Sequence, residues 1–347
     1  ISETMSFLDS YSYSVSCNCC YYGLPILLIG LFSLYLLSRC GLSLSFTGKH
    51  VVITGGSSGI GKSLASESLK MGSSVTLIAR NLQTLNKVKA ELEPLVKDGQ
   101  KLLVVSLDVS NNLPQIELAF QKLVKDMGKK VDVLINCAGS SIPGTFDELD
   151  PSAFEQMMRV NYFGSVYPTR AVVPSMKEHR EGSIVFVSSQ AGQVGIYGFS
   201  AYTPSKFALV GLAQVLRMEL ETYNIKVSVA YPPDTDTPGF ENENKCKPEE
   251  TRLLSEAGGL FTSQEVALSI ISGLRNGDFT IFTGLDGWML GNVTAGMAPP
   301  NSWFHALYQI LLTSVLRMIA IGYSFHFASI INGCRVKRDQ NNNKKEK

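Results

Sequence analysis

Between Thr47 and about Leu285, short runs rich in β-branched residues alternate with longer stretches of helical periodicity, and that alternation leaves this chain few choices of fold. A strand that is apolar on both sides must be covered on both faces, and a helix between strands is the connection that returns the chain to start the next strand parallel to the last. The runs at Val51–Thr54, Val75–Ala79, Leu102–Leu107, Val131–Ile135, Ser183–Ser188, Val227–Tyr231 and Phe279–Phe282 predict seven strands. Helices are expected over Ile60–Met71, Leu82–Val96, Ser152–Tyr167 and Tyr202–Tyr223. The expected class is α/β, a doubly wound parallel sheet. With 31 Lys and Arg against 30 Asp and Glu, a net charge of +1 gives no global field for nucleic acid, and none is expected as a partner. Seven cysteines, an odd number without repeating spacing, speak against a disulfide scaffold.

Two segments depart from a water-soluble pattern. Asp, Glu, Lys and Arg are absent between Asp9 and Arg39, and Gly23–Leu37 is nearly all apolar. With Tyr21 and Tyr22 it approaches a membrane span of about 20 residues. Glu3 and Asp9 precede it, with no positive charge, unlike the start of a secretory signal, so an anchor is expected there. Met5 is the candidate initiator. Arg39 and Lys49 follow the run, and the positive-inside tendency then puts the remainder in the cytosol. A second apolar stretch, Trp303–Ile331, is interrupted by His305, Arg317 and His326 and followed by Arg335, Lys337 and Arg338. Arg317 divides it into halves too short to span singly. The readings left open are a re-entrant hairpin, a tilted span with a snorkelling Arg, an interfacial pair of helices, or a buried or dimer-forming helix. The tail ends Lys344-Lys345-Glu346-Lys347, similar to a dilysine retrieval signal of endoplasmic reticulum membrane proteins. The expected organisation is a tip and anchor over 1–46, a catalytic unit over 47–285, and a membrane-associated segment with a basic tail over 286–347.

The sequence Thr54-Gly55-Gly56-Ser57-Ser58-Gly59-Ile60-Gly61 lies where the first strand turns into the first helix, the phosphate-binding position of a Rossmann-type fold. Glycine there leaves nothing between the backbone amides and a pyrophosphate held at the helix N-terminus. The second strand ends Leu77-Ile78-Ala79-Arg80. With no carboxylate to pair with a ribose 2′-hydroxyl, and with Arg80 beside Ser57 and Ser58, the 2′-phosphate of NADPH is favoured. Asp108 and Val109, after the third strand, are placed to meet adenine. Asn136, Ala138 and Gly139, after the fourth, are expected to pass the nicotinamide-side ribose.

Tyr202 and Lys206 are four residues apart, on one helical face. A free phenol titrates near about 10, and an adjacent ammonium would lower it, so Lys206 is expected to tune Tyr202 as a proton donor and to hold ribose hydroxyls. Strand five carries Ser188-Ser189 to the same rim. Ser189 is expected to donate to a carbonyl oxygen gaining charge, with Ser188 the alternate, since neighbours along a strand point to opposite sides. Asn161 either holds a water that relays protons toward Lys206 or is a polar core residue. No metal is called for. Residues Pro233 to Gly259, dense in Pro, Asp, Glu and Asn, form a lid or a solvated loop, and Asp234 and Asp236 there either meet a substrate amine or are surface acids.

In combination, T-G-x-x-x-G-x-G, N-x-A-G, Asn161, Ser189 and Y-x-x-x-K resemble the short-chain dehydrogenase/reductases. The resemblance implies hydride transfer between a nicotinamide dinucleotide and a carbonyl, and a dimer or tetramer paired through the helices carrying Asn161 and Tyr202. Ser188–Gln193, Ala230–Phe240 and Gly164–Pro168 are similar to a branch whose members reduce long-chain sphingoid ketones with NADPH on the cytosolic face of the endoplasmic reticulum membrane. A membrane-bound steroid or retinoid ketone reductase is the nearest alternative. A dinucleotide-binding scaffold or sensor without catalysis would be marked by loss of Tyr202 or Lys206, and both are present. The loop after strand six, normally Pro-Gly in the family, reads Pro232-Pro233; Pro232, Thr235 and Thr237 are expected to meet the nicotinamide carboxamide.

Overall fold

The computed structural model describes residues 44–256 and 258–345. The expected anchor at Gly23–Leu37 and its flanking cysteines lie outside them. The chain runs β1 (His50–Thr54), α1 (Gly59–Lys70), β2 (Ser74–Ala79), α2 (Leu82–Leu92), β3 (Leu102–Ser106), α3 (Leu113–Met127), β4 (Val133–Asn136) and α4 (Pro151–Met157). It continues α5 (Gly164–His179), β5 (Gly182–Val187), α6 (Tyr202–Glu221), β6 (Ile225–Tyr231), β7 (Thr235–Asp236), α7 (Pro238–Asn244), α8 (Glu249–Glu256) and β8 (Phe261–Thr262). The last elements are α9 (Ser263–Asn276), β9 (Thr280–Phe282), α10 (Gly284–Val293) and α11 (Trp303–Lys345).

Seven strands form one parallel sheet in the order β3-β2-β1-β4-β5-β6-β9, the doubly wound topology the alternation predicts. The order reverses between β1 and β4, where Thr54 sits in register with Asn136, and a crevice opens beyond such strand ends. Strand alternation divides the core. Val51 and Ile53 face α1, α2 and α9 through Leu64, Leu69, Leu85 and Ile270, while Val52 faces α3, α5 and α6 through Ile116, Phe120, Val172 and Leu209.

Local chemistry fixes the helix ends. The Asn81 side chain accepts from Thr84 N at 3.0 Å, and Thr262 and Glu265 make a reciprocal capping box at the start of α9. Helix α2 passes into a short 3₁₀ turn, Glu93–Leu95, at Pro94, so the regular helix stops earlier than its periodicity suggests.

Two expectations are corrected here. The helix expected over Ser152–Tyr167 is the short helix α4, a π-helical stretch over Met158–Phe163, and then α5, which runs on to His179 despite Pro168 and Pro174. The second apolar stretch is one unbroken helix, α11, so of the readings left open the re-entrant hairpin and the pair of helices fall, and those with a single helix stand. A charged side chain leaves the backbone hydrogen-bond ladder intact, so only a Pro or a competing cap would have divided it. Residues Trp303–Asn341 are long and apolar enough to cross a membrane, with 11% of the most apolar window buried. The stretch Pro233 to Gly259 is folded rather than loose, with α7 and α8 in it and β7 paired to β8.

Candidate active site

Above the switch point lies a cavity of about 1060 Å³. Its floor on the β1 side is backbone. Gly55 has a φ of +70°, and a Cβ there would stand 2.9 Å from the backbone of Ala138; a Cβ on Gly61 would stand 2.3 Å from the carbonyl oxygen of Gly55. The turn can therefore close only with glycine at these positions. The Thr54 hydroxyl ties it to the neighbouring strand end by accepting from Cys137 N at 3.1 Å and Ala138 N at 3.0 Å. Ser57, Ser58, Gly59, Ile60, Arg80, Asp108, Val109, Gly139, Pro232, Thr235 and Thr237 all line the same cavity. A groove of bare backbone at a helix start, on a cavity that Arg80, Ser57 and Ser58 also line, fits a dinucleotide phosphate chain.

Several expected cofactor contacts are committed elsewhere. Asn136 is buried away from the cavity and donates to Thr169 Oγ1 at 3.0 Å. The Asp108 carboxylate accepts from Ser110 N at 2.9 Å and Ser110 Oγ at 2.7 Å, closing its own turn. Thr235 Oγ1 donates to the carbonyl oxygen of Pro233 at 2.8 Å, and Gln190 N donates to that of Pro232 at 3.1 Å. These bonds hold the Pro-Pro loop against the end of β5.

Tyr202, Lys206 and Ser189 converge on the cavity from α6 and the end of β5. The Ser189 hydroxyl favours the ionised form of Tyr202, and Ser189 Oγ accepts from Ala191 N at 3.1 Å. Lys206 Nζ lies 5.6 Å from the Tyr202 ring centroid and donates to the carbonyl oxygen of Val187 at 3.0 Å. Ser188 points the other way, as alternation requires, and donates to the carbonyl oxygen of Lys206 at 3.0 Å. Asn161 is fully buried. Its Oδ1 accepts from Ser140 N at 2.9 Å, and its Nδ2 donates to Ser140 O at 3.0 Å and to Ser205 Oγ at 2.9 Å. Ser205 Oγ in turn donates to Tyr202 O at 2.6 Å. The Asn161 amide thus braces the start of α6, and it does so from the π-helical stretch, a wide turn that periodicity does not reveal. A Cβ on Gly139 would lie 3.0 Å from Asn161 Oδ1 and 3.3 Å from Lys206 Nζ, so glycine is what lets these groups crowd together.

Burial sets the electrostatics. Desolvation brings the Lys206 ammonium down to about 8 and pushes the Cys137 thiol up to about 12. It also raises Tyr202, with the Ser189 hydroxyl opposing and the carboxylates of Glu243 and Asp234 adding to the rise. The sequence-based expectation that Lys206 lowers Tyr202 is not met: burial raises Tyr202, and the Lys206 ammonium gives its hydrogen bond to Val187.

The far side of the cavity is made by residues that spacing does not mark. Asp234 faces the cavity, whereas Asp236 is exposed and turned away. Lys247, with its side chain 1% exposed, lies 2.8 Å from Glu243 and 3.8 Å from Asp234. Ser141 donates to Glu243 and Ser255 to Asp234. Met289, Leu290 and Val293 of α10 and Leu316, Ile319, Ala320, Tyr323 and Phe327 of α11, with Arg317 and Ser324, add a chiefly apolar wall, so the cavity extends beyond the expected unit 47–285. The only sequence signal for this wall was the apolarity of Trp303–Ile331.

Residues 49–248 match the family model of the short chain dehydrogenases. The chain belongs to the short-chain dehydrogenase family. This short-chain dehydrogenase is 49% identical over 298 residues to the 3-dehydrosphinganine reductase of Danio rerio, covering 86% of this chain and 90% of that protein. It is 48% identical over 296 residues to the 3-ketodihydrosphingosine reductase of Bos taurus, covering 85% and 89%. Among solved structures, the fold is shared with a short chain dehydrogenase/reductase from Burkholderia phymatum in complex with NAD, at 24% identity, a TM-score of 0.61, and coverage of 69% of this chain and 89% of that one. Levodione reductase superposes with a TM-score of 0.62, at 24% identity and coverage of 68% and 95%.

Proposed function

We propose that this short-chain dehydrogenase reduces the C3 ketone of 3-ketosphinganine to the alcohol of sphinganine with NADPH, a step of sphingolipid synthesis. The observation that carries the reading is the meeting of Tyr202, Ser189 and Lys206 on one cavity in a chain nearly half identical to 3-ketodihydrosphingosine reductases over most of its length. The nicotinamide dinucleotide supplies the hydride when bound. Ser189 Oγ donates to the ketone oxygen and stabilises the charge that develops there, and the Tyr202 hydroxyl gives that oxygen its proton. Burial keeps Tyr202 protonated until the oxygen becomes basic enough to take the proton. Lys206 binds ribose hydroxyls and, as an ammonium, favours the phenolate left behind. Asn161 holds Ser140 and Ser205 so that the start of α6 keeps its place. Arg80, on the same cavity as Ser57 and Ser58 and with no acid at the end of β2, supports the 2′-phosphate of NADPH over NADH.

We place the enzyme at the endoplasmic reticulum membrane with its catalytic portion facing the cytosol. The exposed apolar surface of α11 supports membrane attachment, the basic tail supports the compartment, and Arg39 with Lys49 supports the orientation. Phe163, Phe207 and Met218, exposed near and on α5 and α6, support pairing of subunits through these helices. The test is turnover by the purified full chain in liposomes with NADPH and competing sphingoid, steroid and retinoid ketones, with products identified by mass spectrometry. Sphinganine is the expected product. No turnover of the sphingoid ketone overturns the reading.

A further inference from the structure

Helix α11 presents two different apolar faces. Arg317 and Ser324 line the catalytic cavity, and so do Leu316, Ile319 (40% exposed), Ala320, Tyr323 (42% exposed) and Phe327. The spacing of the last five, three or four residues, keeps them on one stripe of the helix. Ile310, Leu311, Met318, Ile321 and Phe325 fall on the opposite side and are exposed, Phe325 at 72%. A helix apolar on both sides lies between two apolar media.

The helix is fixed near both ends, and between them Leu316 is buried. Near its start, His305 is buried, accepts from Asn301 N at 3.0 Å and lies 3.1 Å from Asn292 Oδ1 of α10. Near its far end, Cys334 is buried and Arg338 pairs with the buried Glu250 of α8. The stretch between these clamps passes over the cavity that holds Tyr202 and Ser189, facing Met289, Leu290 and Val293 of α10. From Leu316 to Phe327 the helix covers about 16 Å. That length suits an extended alkyl chain, and the wall facing the cavity there is chiefly apolar.

We propose that this inward stripe of α11, with the apolar side of α10, is the binding track for the alkyl tail of the ketone, and that it makes the enzyme selective for long chains. The inference rests on the proposed reduction of a lipid ketone and names how that site recognises the lipid. With the outward face against a bilayer, the tail reaches the track without crossing water, where every methylene exposed would be costly.

The test measures kcat/KM for a long-chain and a short-chain 2-amino-3-ketone in detergent, using the full chain. Wild type favours the long chain. Ala320→Trp fills the track and lowers the long-to-short ratio about tenfold, the worth of roughly two methylenes lost from apolar contact. Leu290→Trp, entering from the facing wall, gives the same loss and stands in if the first variant folds poorly. Met318→Trp, on the outward face, keeps the wild-type ratio. NADPH affinity, measured by fluorescence, stays within a few-fold in each variant. An unchanged ratio in Ala320→Trp and Leu290→Trp, or an equal loss in Met318→Trp, overturns the track while ketone reduction stands. Wild type that reduces neither ketone overturns the proposed function itself and the track with it.

Discussion

The two halves of the cavity are built from different materials. The half toward β1 and β2 is a backbone cradle, in which glycine is required because a Cβ would collide with Gly55 O or with the Ala138 backbone. The half toward α7, α8, α10 and α11 is made of side chains brought from segments far apart in the chain. A backbone cradle constrains residue type at each position, so it leaves a spaced signature; a side-chain wall needs only apolar bulk, and many sequences supply that. Tyr202, Ser189 and Lys206 sit at the seam.

Breaking the seam should have the largest effect. Tyr202→Phe is expected to lower kcat for ketone reduction by about 10²- to 10⁴-fold. NADPH affinity, measured by fluorescence titration, should move only a few-fold, and full retention of activity would remove Tyr202 as the proton donor. A change in the cradle comes next. Gly61→Ala sets a methyl against Gly55 O in a turn that cannot relax, with an expected cost of about 1–3 kcal/mol, seen as a lowered Tm and weakened dinucleotide binding. The same substitution at Gly211, exposed within α6 where a Cβ meets no atom within 4 Å, should leave dinucleotide binding unchanged and raise Tm slightly, since Ala is the better helix former. Arg80→Gln is expected to weaken NADPH about tenfold with NADH little affected, as loss of one charge-assisted contact predicts. Equal losses for both dinucleotides would remove Arg80 from the phosphate site.

The smallest effect concerns protons. Lys206 titrates near 8 in the folded chain against an ordinary 10.5, so between those values the unfolded state binds more protons. Its contribution to stability therefore rises with pH across that window, the burial penalty on the ammonium being complete below about 8 and gone above about 10.5. Cys137 acts in the opposite sense above its ordinary 9.0, because the folded thiol keeps its proton to about 12. Comparing Tm against pH for wild type and Lys206→Met isolates the lysine. The difference in stability should narrow as pH rises from 8 to 10.5, and a constant difference would contradict the shift.

Much of the frame was legible because both its signals are local. Strand positions followed from β-branched runs, and the glycine turn followed from its place after Val51–Thr54. Ser189 over Ser188 followed from strand alternation once Ser183–Ser188 was read as a strand. What stayed hidden depends on geometry that no local pattern encodes. The π-helical stretch at Met158–Phe163 turns Asn161 into a brace, and helical periodicity does not distinguish it from an ordinary turn. The Glu243, Lys247 and Asp234 cluster forms only because α7 and α8 fold back over the cavity, and a charge-dense segment reads equally well as surface. Arg317 was misleading for a related reason: a charge interrupts a hydropathy profile without interrupting a helix.

The clamp between Arg338 and Glu250 bears on anyone who would trim this protein for easier handling. Cutting the greasy tail away looks like a route to a better-behaved sample. It would instead strip one side from the reaction chamber and leave a carboxylate stranded in α8 with its cation gone. Solubilising agents that preserve the full length are the safer course.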